Sequence, residues 1–182
     1  MNCPAPPDRR SDRTRDEIKS ALTTLVFANG FENVTVQKII HEAGCARSTF
    51  YEHFGNKDDV LRACMEQFFS VIADCVQCPD EPEALRRVLD HLWQNRRLAD
   101  PIFTGQARVV LARQQADLIE IRLRTLADGR PLALPSRLAA IQIAEAQLAL
   151  IDSWLRGRAF SPVKQLAAGI QRTSRAAALA LL

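Results

Sequence analysis

The feature that most limits the fold of this chain is a pair of short amphipathic segments within residues 34–57, VTVQKIIHEAGCARSTFYEHFGNK. In the first segment apolar residues recur at the spacing of one helix face, at Val36, Ile39, Ile40 and Ala43. Thr35 precedes this run as an N-cap, and Gly44 follows it where a left-handed conformation ends a helix at least cost. The spacing predicts a short, half-buried helix that ends at a tight turn.

The second segment begins almost immediately after that turn. Its inward positions at helical spacing are Ala46, Thr49, Phe50 and Phe54. This arrangement leaves hydrogen-bonding side chains on the outward side, namely Arg47, Ser48 and Tyr51, flanked by Glu52 and His53. Such groups bind base edges and phosphate oxygens, as in a helix-turn-helix whose second helix docks in the major groove of DNA. The same spacing also fits the solvated face of an ordinary helical hairpin.

A longer stretch, Gly30 to Leu61, resembles the TetR family of bacterial transcriptional repressors. The resemblance lies in GF..VTV..I...AG.AR.TFY.HF.NKDDVL, with an amphipathic helix on either side. It implies that Thr35 contacts a phosphate, and that His53 and Lys57 hold the DNA backbone. It also implies that four residues lie against the major groove: Arg47, Ser48, Thr49 and Tyr51.

Three positions in this stretch depart from the family pattern. Ala46 stands where the family usually has a Ser or Thr that caps the recognition helix, a loss of about 1 kcal/mol. Cys45 replaces a usual aliphatic residue. Glu52 would lie near phosphates, and we expect it to point to solvent rather than to accept from a cytosine amine.

No strand-like alternation occurs along the chain, so an all-α fold is expected. The resemblance implies that this fold comprises an N-terminal three-helix helix-turn-helix domain and a C-terminal helical domain for ligand binding and dimerisation. The expected divisions are a flexible, basic and proline-rich tail at 1–11, the DNA-binding domain at 12–57, and the C-terminal domain at 58–182. The first helix is expected at Asp12–Asn29 with Ser11 or Asp12 as its cap. Net charge is only +3, so DNA binding depends on local placement.

The tail carries four arginines that precede the first helix in this interpretation, namely Arg9, Arg10, Arg13 and Arg15. They would lie along phosphates or in a minor groove, or they form a solvated terminus. Helix four is expected to begin at Asn56, with Asp59 three residues later as a capping-box analogue. Later helices are expected at 84–99, 102–114, 117–127 (or as a continuation of the preceding one), 136–157 and 162–182.

The middle region supplies large and polar side chains at helical spacing. Candidates for an effector cavity are Phe68, His91, Trp93, Phe103, Arg108 and Arg113. Arg108, Arg113 or His91 would fix a polar end of the ligand, which favours an anionic or hydrogen-bond-accepting compound. The alternative is that these residues are core and surface of an ordinary helical bundle.

The resemblance further implies a homodimer, because the last two helices of the family pair with their copies in a four-helix bundle. The expected interface residues are Ile141, Leu148, Ile151, Leu155, Leu166, Ile170 and Thr173. The alternative is that these helices only cover their own core. The helix-turn-helix domains of the two subunits would bind a palindromic operator. The operator and a small-molecule effector are therefore the expected partners.

No signal peptide and no run long enough to cross a membrane is recognised in the sequence, so a cytoplasmic location is expected. No cofactor or metal site is expected, because Cys75 and Cys78 lack two further ligands with zinc spacing. The rival interpretation is a redox-sensing regulator or small helical enzyme that uses Cys75, Cys78 and His91. No nucleophile, base and orienting group can be placed together from the sequence, and we expect no enzyme.

Overall fold

A computed structural model describes residues 9–80, 82–96 and 100–182. In these ranges the chain forms helices and no strand, which confirms the predicted all-α class. The α-helices are α1 (Arg9–Asn29), α2 (Val36–Ala43), α3 (Arg47–His53), α4 (Lys57–Asp74), α5 (Glu83–Gln94), α6 (Gly105–Ala127), α7 (Ser136–Leu155) and α8 (Val163–Leu179). Two 3-10 turns lie at Phe31–Asn33 and Asp100–Ile102.

The chain divides into two compact units, Met1–Cys64 and Met65–Leu182. The division falls inside α4, whereas the sequence analysis put the boundary at the start of that helix. The predicted limits of the functional domains stay a prediction.

The first unit is built around a small apolar core that α1, the 3-10 turn, α2, α3 and the start of α4 supply. Its largest fully buried side chains are Ile18, Leu22, Ile39 and Phe50. At the start of α4, Asn56 Oδ1 accepts from the Asp59 amide at 3.0 Å, and Asp59 Oδ2 accepts from the Gly55 amide at 3.2 Å. The first bond confirms the predicted cap of α4, and in the second Asp59 reaches back to the residue before the cap rather than to Asn56 itself.

The predicted start of α1 is wrong. The helix already includes Arg9, so Ser11 and Asp12 lie inside it and do not cap it, and Arg13 and Arg15 are helical rather than part of a preceding tail. No proline or glycine follows Pro7 in this stretch, and Arg13 Nε bonds Glu17 Oε1 at 2.9 Å across one helical turn. Residues 1–8 of the expected tail lie outside the described ranges.

In the second unit α6 and α7 pack against each other most extensively, and α8 packs against both α5 and α7. The predicted helix start at Ile102 is wrong, because Asp100–Ile102 form a 3-10 turn and α6 begins after Thr104. The helix then continues without a break to Ala127, which was one of the two alternatives. The helix predicted for 84–99 is described as Glu83–Gln94, and residues 97–99 lie outside the described ranges.

One helix of the described part, α7, is long and apolar enough to cross a membrane by length and composition alone, with mean hydropathy 1.2. The sequence analysis had recognised no such run. Because 44% of its most apolar window is buried inside the protein, the same properties are accounted for by a core helix. They are weak evidence for a membrane span.

Candidate nucleic-acid interface

The turn between α2 and α3 has the geometry that the sequence predicts. The Thr35 side chain accepts from the Lys38 amide at 3.3 Å, so it caps α2. Gly44 adopts the left-handed conformation at φ 62°, and its amide donates to His41 O at 3.2 Å. A Cβ at Gly44 would meet no atom within 4 Å, so the backbone conformation, and not lack of space, is what favours glycine there.

Helix α3 is anchored by its aromatic side. Phe50 and Phe54 are buried, with ring centroids 6.1 Å apart, and Phe50 packs edge-on against Tyr51 at 5.4 Å. No side chain caps its N-terminus at Ala46, as the sequence indicates. The helix is therefore held by its buried face, which fixes the direction of the opposite face.

That opposite face is exposed and polar. Arg47, Ser48, Tyr51 and Glu52 are all exposed, and the Arg47 guanidinium lies 5.6 Å from the centroid of the Tyr51 ring. The rigid phenol thus supports the flexible arginine beside it. Of the other predicted DNA contacts, Thr49 and His53 are half-buried and Thr35 is exposed.

An open groove of about 520 Å³ lies between α2 and α3. It is lined by Thr35, Val36, Gln37, Ile40, Arg47 and Tyr51. The structure therefore brings three predicted DNA contacts together with Gln37, a residue that the sequence analysis did not single out. An exposed glutamine in the first turn of a helix carries no signal of its own, because solvated faces contain the same residue type.

Lys57 is directed into the first unit. Its ammonium donates to Phe31 O at 2.9 Å and to Val34 O at 3.0 Å, with Glu32 O at 3.5 Å. It also lies 4.4 Å from the centroid of the Phe31 ring. These bonds hold the turn that leads into Thr35, and they occupy the charge that the sequence analysis assigned to a phosphate.

The arginines at the start of α1 are engaged locally. Arg13 forms the exposed ion pair with Glu17, and the Arg15 guanidinium lies 5.2 Å from the centroid of the Phe54 ring. Arg15 therefore reaches the end of α3 within the first unit. The side chains of Arg9 and Arg10 lie outside the described part.

The predicted effector residues do not line one cavity in the described structure. Phe103 is buried, Phe68 is half-buried and His91 is exposed. Trp93 stacks on Trp154 at 4.6 Å and is covered by the Arg96 guanidinium. The aromatic pair therefore packs as a structural contact between α5 and α7.

Arg108 and Arg113 do meet, in a shallow groove of about 330 Å³ between α6 and α7. Arg108 is paired there with Glu145, with the closest N–O distance 2.5 Å. Nearby, Arg137 Nη1 bonds Asp117 at 2.6 Å, and the Ser136 hydroxyl donates to Glu120 at 2.9 Å. The Ser136 hydrogen bond, followed by Arg124 and Arg137, lowers the pKa of Glu120 against the effect of its burial.

The predicted dimer residues divide between core and surface. Leu148, Ile151, Leu166 and Ile170 are buried in the core of their own protomer, so these four do not lie on a surface that a second copy can reach. Ile141 and Thr173 are exposed, and Leu155 is half-buried. The helical period was correct, but the sequence alone does not tell which of two apolar faces turns inward. The exposed apolar residues of α7 are Leu138, Ile141 and Leu150.

The two neighbouring cysteines sit at the end of α4 and in the turn after it. Cys75 is fully buried and Cys78 is half-buried, and neither forms a disulfide among the described residues. The Cys75 thiol donates to Val71 O at 3.9 Å. Burial raises the pKa of the Cys64 thiol, which packs against Lys19 O in the first unit.

Known proteins resemble the chain most clearly at this interface. Residues 18–64 match the family described as "Bacterial regulatory proteins, tetR family". Over 82 residues the chain is 32% identical to YdeS of Bacillus subtilis, an uncharacterized HTH-type transcriptional regulator. The aligned stretch covers 45% of this chain and 40% of YdeS. Over 152 residues it is 28% identical to the HTH-type transcriptional regulator BetI of Brucella canis, covering 77% and 76%.

The chain spans less than half the length of YdeS and 20% of a second Bacillus subtilis regulator, YxbF. All these relatives are bacterial proteins named as transcriptional regulators. The enzyme alternative is therefore not favoured.

Solved structures share the fold over nearly the whole chain. A TetR transcriptional regulator from Streptococcus agalactiae has a TM-score of 0.56 at 22% identity, covering 92% of this chain and 96% of that one. NalD, the secondary repressor of the MexAB-OprM multidrug efflux pump in Pseudomonas aeruginosa, has a TM-score of 0.55 at 19% identity, covering 93% and 97%. At these identities the likeness concerns the fold alone.

Proposed function

Because this chain belongs to the TetR family of bacterial transcriptional regulators, we propose that it is a cytoplasmic repressor that binds a palindromic operator as a homodimer. A small molecule bound in the second unit releases it from the operator. The observation that carries the proposal is the exposed polar face of α3 beside the groove between α2 and α3.

In this proposal Arg47, Ser48 and Tyr51 read the major groove, and Thr35 and Gln37 contact the backbone or base edges from the start of α2. Arg47 is the strongest candidate for base discrimination, because a guanidinium binds guanine at two atoms. Thr49 and His53 are half-buried and contribute at the margin of the interface. Lys57 acts from inside the unit, through the turn that precedes Thr35.

A binding titration tests this assignment. Arg47→Ala should weaken operator binding by about 1–3 kcal/mol and relax preference at one base pair. Tyr51→Phe should weaken it less, because the ring that supports Arg47 remains. Arg87→Ala is the matched control, since Arg87 is an exposed arginine in α5 of the second unit. Arg47→Ala binding that equals the parent at every sequence would contradict the assignment.

The proposed dimer face consists of the exposed side of α7 that carries Leu138 and Ile141, together with Thr173 and Leu179 of α8. A two-fold four-helix bundle buries an apolar surface on the last two helices of each subunit. The two-fold axis also presents the two helix-turn-helix domains to half-sites about 34 Å apart. Ile141→Arg places a charge in this face without touching the protomer core. Ile121→Arg is the control, because Ile121 is a 58% exposed isoleucine on α6.

Sedimentation velocity should give a dimer for the parent and for Ile121→Arg, and a monomer for Ile141→Arg. A parental dimer for Ile141→Arg would place the interface elsewhere. Operator binding should be lost together with the dimer, because each half-site alone supplies only half of the contacts.

A further inference from the structure

A chain of buried polar side chains links four helices of the second unit. Gln115 on α6, Gln147 on α7 and Ser174 on α8 are 0%, 2% and 4% exposed. Gln115 Nε2 donates to Gln147 Oε1 at 2.7 Å, and Gln147 Nε2 donates to Ser174 Oγ at 2.9 Å. The same amide nitrogen donates to the backbone carbonyl of Ile72 in α4 at 3.2 Å.

The direction of this chain is set by the carbonyl of Ile72. A backbone carbonyl only accepts hydrogen bonds, so Gln147 must turn its nitrogen towards it and its oxygen towards Gln115. Gln115 must then donate from its own Nε2, because the reversed amide would place Gln115 Oε1 against Gln147 Oε1. No other orientation of the two amides satisfies all three contacts.

As a consequence, the carbonyl oxygen of Gln115 points away from Gln147 and takes no part in this series of hydrogen bonds. It is buried and meets no hydrogen-bond donor among the described residues. A buried acceptor without a donor costs about 1–3 kcal/mol. One helical turn to either side on α6, Leu111 and Ile119 are fully buried apolar residues.

We propose that Gln115 Oε1 is the acceptor that recognises the effector, and that the effector is an uncharged hydroxyl compound with an apolar body. This inference rests on the proposed effector response and names the chemistry that it requires. A hydroxyl donates the missing bond, whereas a carboxylate would face the carbonyl oxygen and would lose its hydration in an apolar core. The chemistry therefore differs from the anionic ligand that Arg108 and Arg113 suggested.

The same chain explains how occupation would alter the protein. Since Gln115 is fully buried, a ligand reaches it only in a state where the surrounding helices have parted, and it therefore binds that state better. Gln147 then loses its fixed position between Gln115 and Ile72 of α4. Helix α4 runs from Lys57 to Asp74, and the proposed release acts on its last turn.

The test compares three compounds of similar shape with the full chain. Phenol carries a hydroxyl donor, anisole has the same ring without a donor, and benzoate is the anion. Isothermal titration at millimolar concentrations should show that phenol binds about tenfold tighter than anisole, as expected for one net hydrogen bond. Benzoate should bind no better than anisole.

Two variants assign that preference to one atom. Ser174→Ala leaves the bonds from Gln147 to Ile72 O and to Gln115 in place and should keep the preference for phenol. The second variant is built on Gln147→Met. Adding Gln115→Met to it replaces the buried pair by apolar side chains of similar size, which proteins tolerate with little loss of stability. This double variant should bind phenol and anisole alike, and its thermal unfolding midpoint shows whether it is folded.

Equal binding of phenol and anisole by the parent, or no binding of phenol, would overturn the inference. So would a preference for phenol that survives in the folded double variant. Operator titrations in the same samples test the proposed regulator function separately from the recognition of phenol. Operator binding without recognition of phenol leaves the proposed regulator intact, whereas absence of any operator binding removes the proposed function itself.

Discussion

The two units of the molecule bury different kinds of side chain. In the described part of the first unit every buried residue is apolar or aromatic. The second unit buries five polar residues besides its apolar core, namely Gln114, Gln115, Gln147, Gln171 and Ser174. An apolar core of aromatic and branched residues holds a recognition surface in one direction, whereas directional polar contacts have discrete alternative arrangements. This difference matches the proposed function, in which the first unit presents a surface to DNA and the second responds to a ligand.

The polar groups of the second unit gather at the end of α4. Arg122 Nε bonds Asp74 at 3.0 Å, and Gln171 Nε2 donates to the carbonyls of Cys78 and Pro79 at 3.0 and 2.9 Å. Arg175 Nη1 donates to Gln77 O at 2.7 Å. Side chains of α8 thereby satisfy backbone carbonyls of the turn that follows α4.

The largest expected effect breaks the apolar unit. Phe50→Ala removes a fully buried ring and should lower the free energy of unfolding of the first unit by about 3–5 kcal/mol. Amide hydrogen exchange should accelerate in residues 9–64 and change little in residues 100–182. Phe160→Ala is the control, because Phe160 is 81% exposed. A uniform acceleration in both units would contradict their separate stability.

Arg122→Met tests the polar unit. It leaves Asp74 without its ion pair and Ser70 without a donor, so stability of the second unit should fall by about 1–2 kcal/mol. The partial exposure of Asp74 keeps the loss below that of a fully buried pair. Urea unfolding measures this effect. An unchanged midpoint would mean that the contacts of Arg122 with Asp74 and Ser70 do not contribute to stability.

Lys57→Met decides between an internal tie and a phosphate contact. The three carbonyl bonds of Lys57 predict a loss of DNA affinity of about 1 kcal/mol that is equal for all sequences. The slope of log affinity against log salt should not change, since no counterion release is lost. Lys164→Met serves as the control, because Lys164 is exposed on α8. A slope reduced by about 0.9 would instead identify Lys57 as a phosphate contact.

Ala46→Ser supplies the N-cap that α3 lacks. A serine hydroxyl would accept from a free amide of the first turn, and the first unit should gain about 0.5–1 kcal/mol. Differential scanning calorimetry measures the gain. A destabilised variant would show that the backbone at Ala46 does not present the hydroxyl to these amides.

The smallest effect concerns pH. The lowered pKa of Glu120 contributes stability that is present above the pKa of the unfolded chain and is lost as pH falls through the folded value. Ser136→Ala removes the first cause of the shift, so the pKa of Glu120 should rise towards its ordinary value. NMR titration of the Glu120 carboxyl measures it, and an unchanged pKa would assign the shift to Arg124 and Arg137.

The sequence predicted the first unit more completely than the second, for a reason of distance along the chain. Three features of the first unit join residues no more than four positions apart, so the local spacing of residue types predicts them. They are the cap at Thr35, the turn at Gly44, and the pair of Phe50 and Phe54. Gln147 meets Ile72 across 75 positions, and Arg175 meets Gln77 across 98. No periodicity encodes such partners, so the buried network and the inward face of α7 could only be found in three dimensions.

The most direct test of the central claim is a selection of bound duplexes from a random DNA library by the parent protein and by Arg47→Ala. The account predicts that the parent enriches a two-fold symmetric site with half-sites about one helical turn, some 34 Å, apart. Arg47→Ala should enrich the same spacing but lose preference at one base pair in each half-site. No enriched sequence for the parent, or an identical site for both proteins, would contradict the claim that the exposed face of α3 reads DNA.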